Sequence, residues 1–221
     1  TVEELQACRD GYIYIHDMSA RRDTMNCCLF DVNEVLSGGF EMGNIWYNEP
    51  KTLDVAFDVI GDIVLSAASQ QYGGFTVPSV ENILAPYAEK SYGTYIAKYI
   101  DLGLEEEKAK AVAWNDVQRE MDQGFQGWEY KFNSVSSSRG DYPFITMTAG
   151  TGTSRFAKMA TITMLNVRKK GQGKEGHKKP VLFPKLVFLY DENLHGPGKE
   201  LEDVFEAGIE CSSKTMYPDW L

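Results

Sequence analysis

Apolar side chains recur with helical periodicity through much of the chain. One such segment begins at Pro50 and ends near Gln71, just before a Gly-Gly pair. A second helix is expected at residues 79–100, with a serine as its N-cap, and a third follows that weakens at Gly124 and Gly127. Consecutive helices without intervening strands predict a helical layer outside a sheet. The first helix is apolar on nearly every side, and a dimer interface is one way to cover it.

Runs of β-forming residues precede and follow these helices. The last run, residues 181–190, is apolar throughout apart from Pro184 and Lys185. Such continuity is typical of a strand buried on both faces of an α/β sheet or barrel. The pattern therefore predicts an α/β fold. The expected strands are residues 11–16, 24–30, 144–148 and 181–190, and the further expected helices are residues 155–168 and 200–210.

Composition narrows the class of protein. The chain has 221 residues, 43% hydrophobic and 24% charged, which fits one globular domain or part of a larger one. Its net charge of −10 argues against nucleic acid as a partner, although a local basic pocket for one nucleotide remains compatible. The sequence has no apolar run long enough for a bilayer, no signal-peptide pattern and no initiator Met. We expect a cytoplasmic piece of a longer protein, with no membrane partner.

The four cysteines are Cys8, Cys27, Cys28 and Cys211. None lies in a Cys-x-x-Cys pair, so no metal site is predicted within the chain. The simplest interpretation is that they are small buried side chains in a reducing compartment.

A first candidate site combines His16 and Asp17 with Asn26 and Cys27, each near the end of an expected strand. Ligands usually bind where strand ends of an α/β sheet meet. A Cys, a His and an Asn brought together would suit thiol chemistry, and a Cys–His hydrolase is one alternative. The other alternative is a buried Cys and a hydrogen-bonded His without chemistry.

Two further segments have the composition of phosphate sites. Glu49, Lys51 and Thr52 stand at a helix start, where free amides and the helix dipole suit phosphate, unless this is an ordinary start with a solvated Lys. The glycine-rich loop at residues 150–154 lacks the Gly-Lys-Ser/Thr ending of a Walker motif. Thr153 or Ser154 is expected to be an N-cap there, with a substrate triphosphate contact as the alternative.

A basic run at residues 168–179 carries six basic residues and one acid. Such a run can steer triphosphates or meet a partner protein. A flexible, solvated connection is the interpretation that we expect.

An ordered set of motifs resembles the anaerobic (class III, glycyl-radical) ribonucleoside triphosphate reductases. Each motif alone is weak, but their order along nearly the whole chain is specific. The resemblance lies in residues 11–17, 25–27, 38–44, 49–52, 71–74, 183–188 and 211–219.

The resemblance implies a fold and a chemistry. Family members place a thiyl radical, generated by a glycyl radical, inside a ten-stranded α/β barrel, where it abstracts the ribose 3′ hydrogen. Cys27 matches a second cysteine that takes part in the reduction, and Asn26 precedes it as in the family pattern. His16 matches a histidine at the substrate ribose. Tyr14 departs from the pattern, which often has another His there.

The same resemblance assigns an effector site and a dimer. Glu49, Lys51 and Thr52 correspond to the specificity-effector site, where ATP or deoxynucleotides act, and helices at about residues 48–101 form the homodimer interface. The expected substrate is a ribonucleoside triphosphate, the expected reductant formate, and the expected activating partner a radical-SAM enzyme.

Other family parts are not found in this sequence. Cys211 is not the radical cysteine, because the Met-x-Cys-Arg motif of that residue does not occur. We therefore expect the radical cysteine beyond Leu221, with the glycyl-radical residue and a zinc site further on and an ATP-binding domain before Thr1. Residues 1–221 are interpreted as one incomplete barrel domain, inactive alone.

Two rival functions come from other classes. A glycyl-radical enzyme of the formate-lyase type would need two adjacent radical cysteines at a loop tip, whereas Cys27 and Cys28 come early and beside an Asn. A nucleotide-sensing or dimerisation module would bind effector without chemistry.

Overall fold

The computed structural model describes residues 1–12, 26–71, 73–135 and 142–221. The helices are α1 (Val2–Arg9), α2 (Val32–Leu36), α3 (Leu53–Ser69), α4 (Val80–Asp101), α5 (Glu106–Ser134), α6 (Arg155–Lys170) and α7 (Glu202–Thr215). The strands are β1 (Cys28–Leu29), β2 (Phe40–Met42), β3 (Ile45–Tyr47), β4 (Phe75–Val77), β5 (Ile145–Ala149), β6 (Lys185–Phe188) and β7 (Asp219–Trp220).

Five of these strands form one parallel sheet in the order β1-β4-β5-β6-β7. Phe75 pairs with Cys28 on one side and Ile145 on the other, so β4 lies inside the sheet. Helices connect the successive strands, and the predicted α/β class is confirmed. A separate two-stranded antiparallel hairpin, β2–β3, lies between β1 and α3. The strand expected at residues 11–16 falls mostly outside the described residues.

Helices α3, α4 and α5 pack against one another, but the expected succession without strands is wrong, because β4 lies between α3 and α4. The apolar positions of α3 that include Leu53, Ile60 and Val64 are fully buried. Helix α3 begins at Leu53, however, and not at Pro50. The reason is that Thr52, with extended backbone, is the N-cap residue, which leaves Pro50 in the chain before the helix.

Helix α5 corrects a prediction, because it continues without a break through Gly124 and Gly127. A Cβ on Gly124 would lie 2.3 Å from a ring carbon of Phe57. The glycine therefore allows α3 and α5 to pack closely, and the Trp128 indole N–H donates to the Phe57 carbonyl at 2.8 Å. Tertiary packing here outweighs the low helix propensity of glycine.

The apolar run at residues 181–190 forms a shorter strand than predicted, because only Lys185–Phe188 joins the sheet. The backbone of Phe183 pairs instead with the Asn133 side chain, which accepts from the Phe183 N–H at 3.1 Å and donates to its carbonyl at 2.5 Å. Leu182 is 67% exposed. The continuous run of apolar residues therefore overestimated the length of the strand.

None of the helices in the described ranges has the length and hydrophobicity of a membrane span.

Candidate functional site

Asn26 and Cys27 lie at the amino edge of the parallel sheet, directly before β1. Gly73 and Gly74, which precede the neighbouring strand β4, contact them. The Gly73 N–H donates to the Asn26 carbonyl at 2.6 Å, and the Gly74 N–H donates to the Cys27 sulfur at 3.2 Å. This corrects the expectation that the Asn-Cys pair sits where strands end. His16 lies outside the described residues, so its place beside them stays a prediction.

The two adjacent thiols have different surroundings. Cys27 is exposed and its sulfur accepts from a backbone amide. Cys28 is partly buried and its sulfur accepts from the Gln71 side-chain amide at 2.8 Å. Cys27 is therefore the thiol that a ligand at this edge can reach.

The expected effector residues surround the start of α3. Glu49 accepts from the Lys90 ammonium at 3.1 Å and from the Gly38 amide at 3.4 Å. The hydrogen bond from Lys90, with that from the Gly38 amide, holds the pKa of Glu49 below its ordinary value. Lys51 is exposed, and Thr52 donates its hydroxyl proton to Asp54.

The first amides of α3 are less free than a phosphate site requires. The Leu53 N–H donates to the Ser91 hydroxyl at 2.9 Å, and the Val55 N–H donates to the Asp54 carboxylate at 2.8 Å. A phosphate at this helix start would meet a carboxylate already in place. The geometry favours contact through the Lys51 side chain over contact through these amides.

The glycine-rich loop after β5 holds an internal carboxylate. Glu81 is fully buried in the first turn of α4. Its Oε1 accepts from the Gly150 N–H at 3.2 Å and from the Gly152 N–H at 3.1 Å. Ser154 accepts from the Ala157 N–H at 3.2 Å, which confirms it as the N-cap of α6. The amides that resembled a phosphate cradle are thus occupied by Glu81, while the Thr153 side chain stays exposed.

His195 supports the same loop from the other side and was missed by the sequence analysis. Its ring is buried, with Nε2 at 2.9 Å from the Gly150 carbonyl. The Asp191 N–H donates to Nδ1 at 2.9 Å. Nδ1 also lies 3.0 Å from the Asp191 carbonyl oxygen, so both ring nitrogens contact the backbone. Neither His195 nor Glu81 stands in a recognisable motif, so only the three-dimensional contacts identify them.

We expect Glu81→Gln to change how stability depends on pH. Burial raises the pKa of Glu81 above its ordinary value of 4.5, against the opposing effect of the amide hydrogen bonds. Protonated Glu81 therefore favours folding, fully so below about pH 4.5. That contribution is lost as the pH rises through the raised pKa. Glutamine keeps an acceptor oxygen and never ionises. The free energy of unfolding of Glu81→Gln, relative to that of the wild type, should therefore rise between acid and neutral pH.

Urea unfolding at several pH values measures this difference. Glu34→Gln is the control, because that carboxylate is exposed on α2 and its replacement should leave the pH dependence unchanged. A Glu81→Gln difference that stays constant across the pH range would contradict the assignment.

The basic run at residues 168–179 is not one free patch. Arg168 is fully buried and pairs with Glu129 at 2.7 Å, while Lys170 pairs with Asp122 at 2.7 Å. Residues 173–179 are exposed, as expected for a solvated connection, and the backbones of Gln172 and Lys179 bridge each other with two hydrogen bonds of 2.9 Å. The segment is a closed turn that exposes Lys174, Lys178 and Lys179, whereas Lys169 on α6 pairs with Glu210 at 2.5 Å. Within the described part of the chain, no group of three or more His, Cys, Asp or Glu residues is placed to hold a metal ion.

Comparison with known proteins places these features in a family. A family model described as anaerobic ribonucleoside-triphosphate reductase matches residues 2–221. The enzyme of that name from Enterobacteria phage T4 is 36% identical over 97% of this chain and 35% of its own length. The Escherichia coli enzyme of the same name is 34% identical over 98% of this chain and 30% of its own length. The chain thus spans about a third of the curated relatives that it matches.

Solved structures share the fold. The anaerobic ribonucleotide reductase of Thermotoga maritima, crystallised with citrate in its active site, matches with a TM-score of 0.70 at 16% identity. The match covers 99% of this chain and 39% of that one. A structure of the same enzyme in complex with dATP and CTP matches with a TM-score of 0.66, over 99% of this chain and 36% of that one.

Proposed function

The chain belongs to the anaerobic ribonucleoside-triphosphate reductase family, and we propose that it forms part of the catalytic domain of such an enzyme. The reaction is the reduction of ribonucleoside triphosphates to deoxyribonucleotides by glycyl-radical and thiyl-radical chemistry. The observation that carries the proposal is the family match across residues 2–221, with Asn26 and Cys27 seated at one edge of the sheet. Because the chain spans about a third of its relatives, we expect it to be inactive alone.

The parallel sheet β1-β4-β5-β6-β7 is proposed as half of a ten-stranded α/β barrel. Residues 1–221 would form one incomplete domain, with the layer α3–α5 outside the barrel. Exposed side chains near the sheet edges, such as Leu29 and Trp220, support further cover by other parts of a longer chain.

Cys27 is proposed as the second reactive thiol, beside Asn26 and with His16 at the substrate ribose. The glycyl radical, on a residue outside this chain, supplies hydrogen-atom abstraction. Within this chain, the exposed Cys27 sulfur accepts a backbone hydrogen bond, which fixes its direction while the thiol stays reachable. Formate is the proposed reductant.

Glu49, Lys51 and Thr52 are proposed to bind the ATP or deoxynucleotide effector, and the helices at about residues 48–101 to form a homodimer interface. The exposed Lys51 ammonium supports phosphate binding. Val55 on α3 is 44% exposed, which supports cover of this helix by a second copy.

Thr153 and Ser154 remain a proposed contact with the substrate triphosphate. The exposed Thr153 hydroxyl supports it more than the loop amides do, because Glu81 already occupies the amides of Gly150 and Gly152. A radical-SAM activating enzyme is the proposed protein partner, in the cytoplasm, without nucleic acid or membrane.

The test is an anaerobic reductase assay of the full natural chain after activation. Wild type should form deoxynucleotides in an effector-dependent way. Lys51→Ala should weaken the effector response about tenfold or more, since a charge-assisted hydrogen bond to phosphate is lost. The control Lys108→Ala removes an exposed lysine of α5 and should respond as wild type does.

The outcomes separate two proposals. A wild-type protein that binds effector but does not form deoxynucleotides would contradict the proposed reductase function and favour a nucleotide-sensing module. A Lys51→Ala variant that turns over with an unchanged effector response would contradict only the proposed position of the effector site.

A further inference from the structure

Gly73 occupies a position where no side chain fits. A Cβ there would lie 2.5 Å from Asn26 Oδ1, 2.7 Å from the Asn26 carbonyl oxygen and 2.8 Å from Cys27 Sγ. The backbone of Gly73 is not in the left-handed region, so an alanine could adopt its conformation. The constraint is therefore space beside Asn26 and Cys27, not backbone geometry.

The surrounding hydrogen bonds prevent those residues from moving aside. The Gly73 N–H holds the Asn26 carbonyl at 2.6 Å, and the Gly74 N–H holds the Cys27 sulfur at 3.2 Å. The Cys28 N–H in turn donates to the Gly74 carbonyl at 3.1 Å. The peptide that carries Asn26 and Cys27 is thus fixed against the Gly-Gly segment at consecutive points.

We propose that Gly73 is a positioning residue for Cys27. Its missing side chain creates the space in which the Asn26 carboxamide and the Cys27 thiol lie together, and its neighbour's amide orients the sulfur. Relieving a 2.8 Å contact requires the sulfur to move out to ordinary van der Waals distance, which would break the hydrogen bond from Gly74. The link to catalysis rests on the proposed function of Cys27, whereas the positioning itself does not.

Adjacent glycines supply a matched pair of variants. A Cβ on Gly74 would lie 3.9 Å from Cys27 Sγ, an ordinary contact. In the full natural chain, the rate of Cys27 alkylation by iodoacetamide is followed by fragment-ion mass spectrometry, which separates Cys27 from Cys28. Gly73→Ala should slow it about fivefold, the effect of losing one hydrogen bond to the reactive sulfur. Gly74→Ala should leave it within about twofold of wild type.

Activity is measured separately from thiol reactivity. Gly73→Ala should lower kcat for nucleotide reduction at least as much as it lowers the alkylation rate, with KM little changed. Gly127→Ala on α5 is the activity control, because its Cβ would enter open space and α5 lies outside the helices proposed to form the dimer interface. Unchanged alkylation in Gly73→Ala would overturn the positioning role. Slower alkylation with full activity would leave that role standing and contradict the proposed function of Cys27.

If Gly73→Ala fails to fold, the same substitution is tested in a double variant that removes the side chains it would contact. Asn26→Ala and Cys27→Ala together remove two of the three atoms that crowd the new Cβ. Gly73→Ala should therefore destabilise this background less than wild type in urea unfolding. Equal destabilisation in both backgrounds would overturn the inference.

Discussion

Replacing Arg168 with methionine should lower the free energy of unfolding by about 3–5 kcal/mol, because the change leaves the buried Glu129 carboxylate without its charged partner, with the neutral Gln172 amide as a remaining donor. Arg168 is fully buried; its Nε donates to Glu129 Oε1 at 2.7 Å and its Nη2 donates to the Pro184 carbonyl at 2.6 Å. The guanidinium also lies over the Tyr217 ring, 5.4 Å from its centroid. One side chain on α6 thus joins α5 to the chain entering β6 and β7.

Urea unfolding of three variants tests this arrangement. Lys170→Met, two residues away, breaks an exposed pair with Asp122 and should cost less than about 1 kcal/mol. Arg168→Met combined with Glu129→Leu removes both charges and should recover most of the stability lost by Arg168→Met alone. An Arg168→Met variant as stable as Lys170→Met would mean that the pair is not buried as described.

The sequence predicted the long helices well because their signal is local. The apolar positions of α3, α4 and α6 repeat with a helical period, and the cap at Ser154 depends on a residue three positions away. Short strands have too few residues for a pattern. The pattern does not predict strand β4, whose three residues follow a Gly-Gly pair that indicates only the end of a helix.

The candidate site was predictable only where a motif marks it. The strand pattern named Asn26 and Cys27 as candidates, and the family resemblance gave them a role. The hydrogen bond between the Gly74 amide and the Cys27 sulfur, however, joins residues 47 positions apart. Glu81 reaches amides 69 and 71 positions away, and an acid in the first turn of a helix is ordinarily a solvated residue. Single-sequence patterns carry no information on such distant partners.

Replacing Cys27 with alanine should lower nucleotide reduction in the activated full natural chain by about 10²-fold or more, the scale of what one reacting side chain contributes, because the proposed second reactive thiol is lost. The physical reason is that Cys27 offers the exposed sulfur at the amino edge of the sheet, held in one direction by the Gly74 amide. Deoxynucleotide formation under anaerobic conditions measures the loss. Glycyl-radical content, measured by electron paramagnetic resonance, should stay near the wild-type value, because the role proposed for Cys27 is in nucleotide reduction and not in radical formation.

Cys28→Ala is the matched control, since it removes the neighbouring sulfur and its hydrogen bond from Gln71 while Cys27 stays in place. We expect a stability cost of about 1 kcal/mol from that bond and activity within a few-fold of wild type. The two sulfurs are one residue apart, so a general disturbance of β1 would affect both variants alike. A loss of activity confined to Cys27→Ala would assign the chemistry to the Cys27 thiol, which contacts Gly73 and Gly74. A larger loss of activity in Cys28→Ala would assign it instead to the Cys28 thiol.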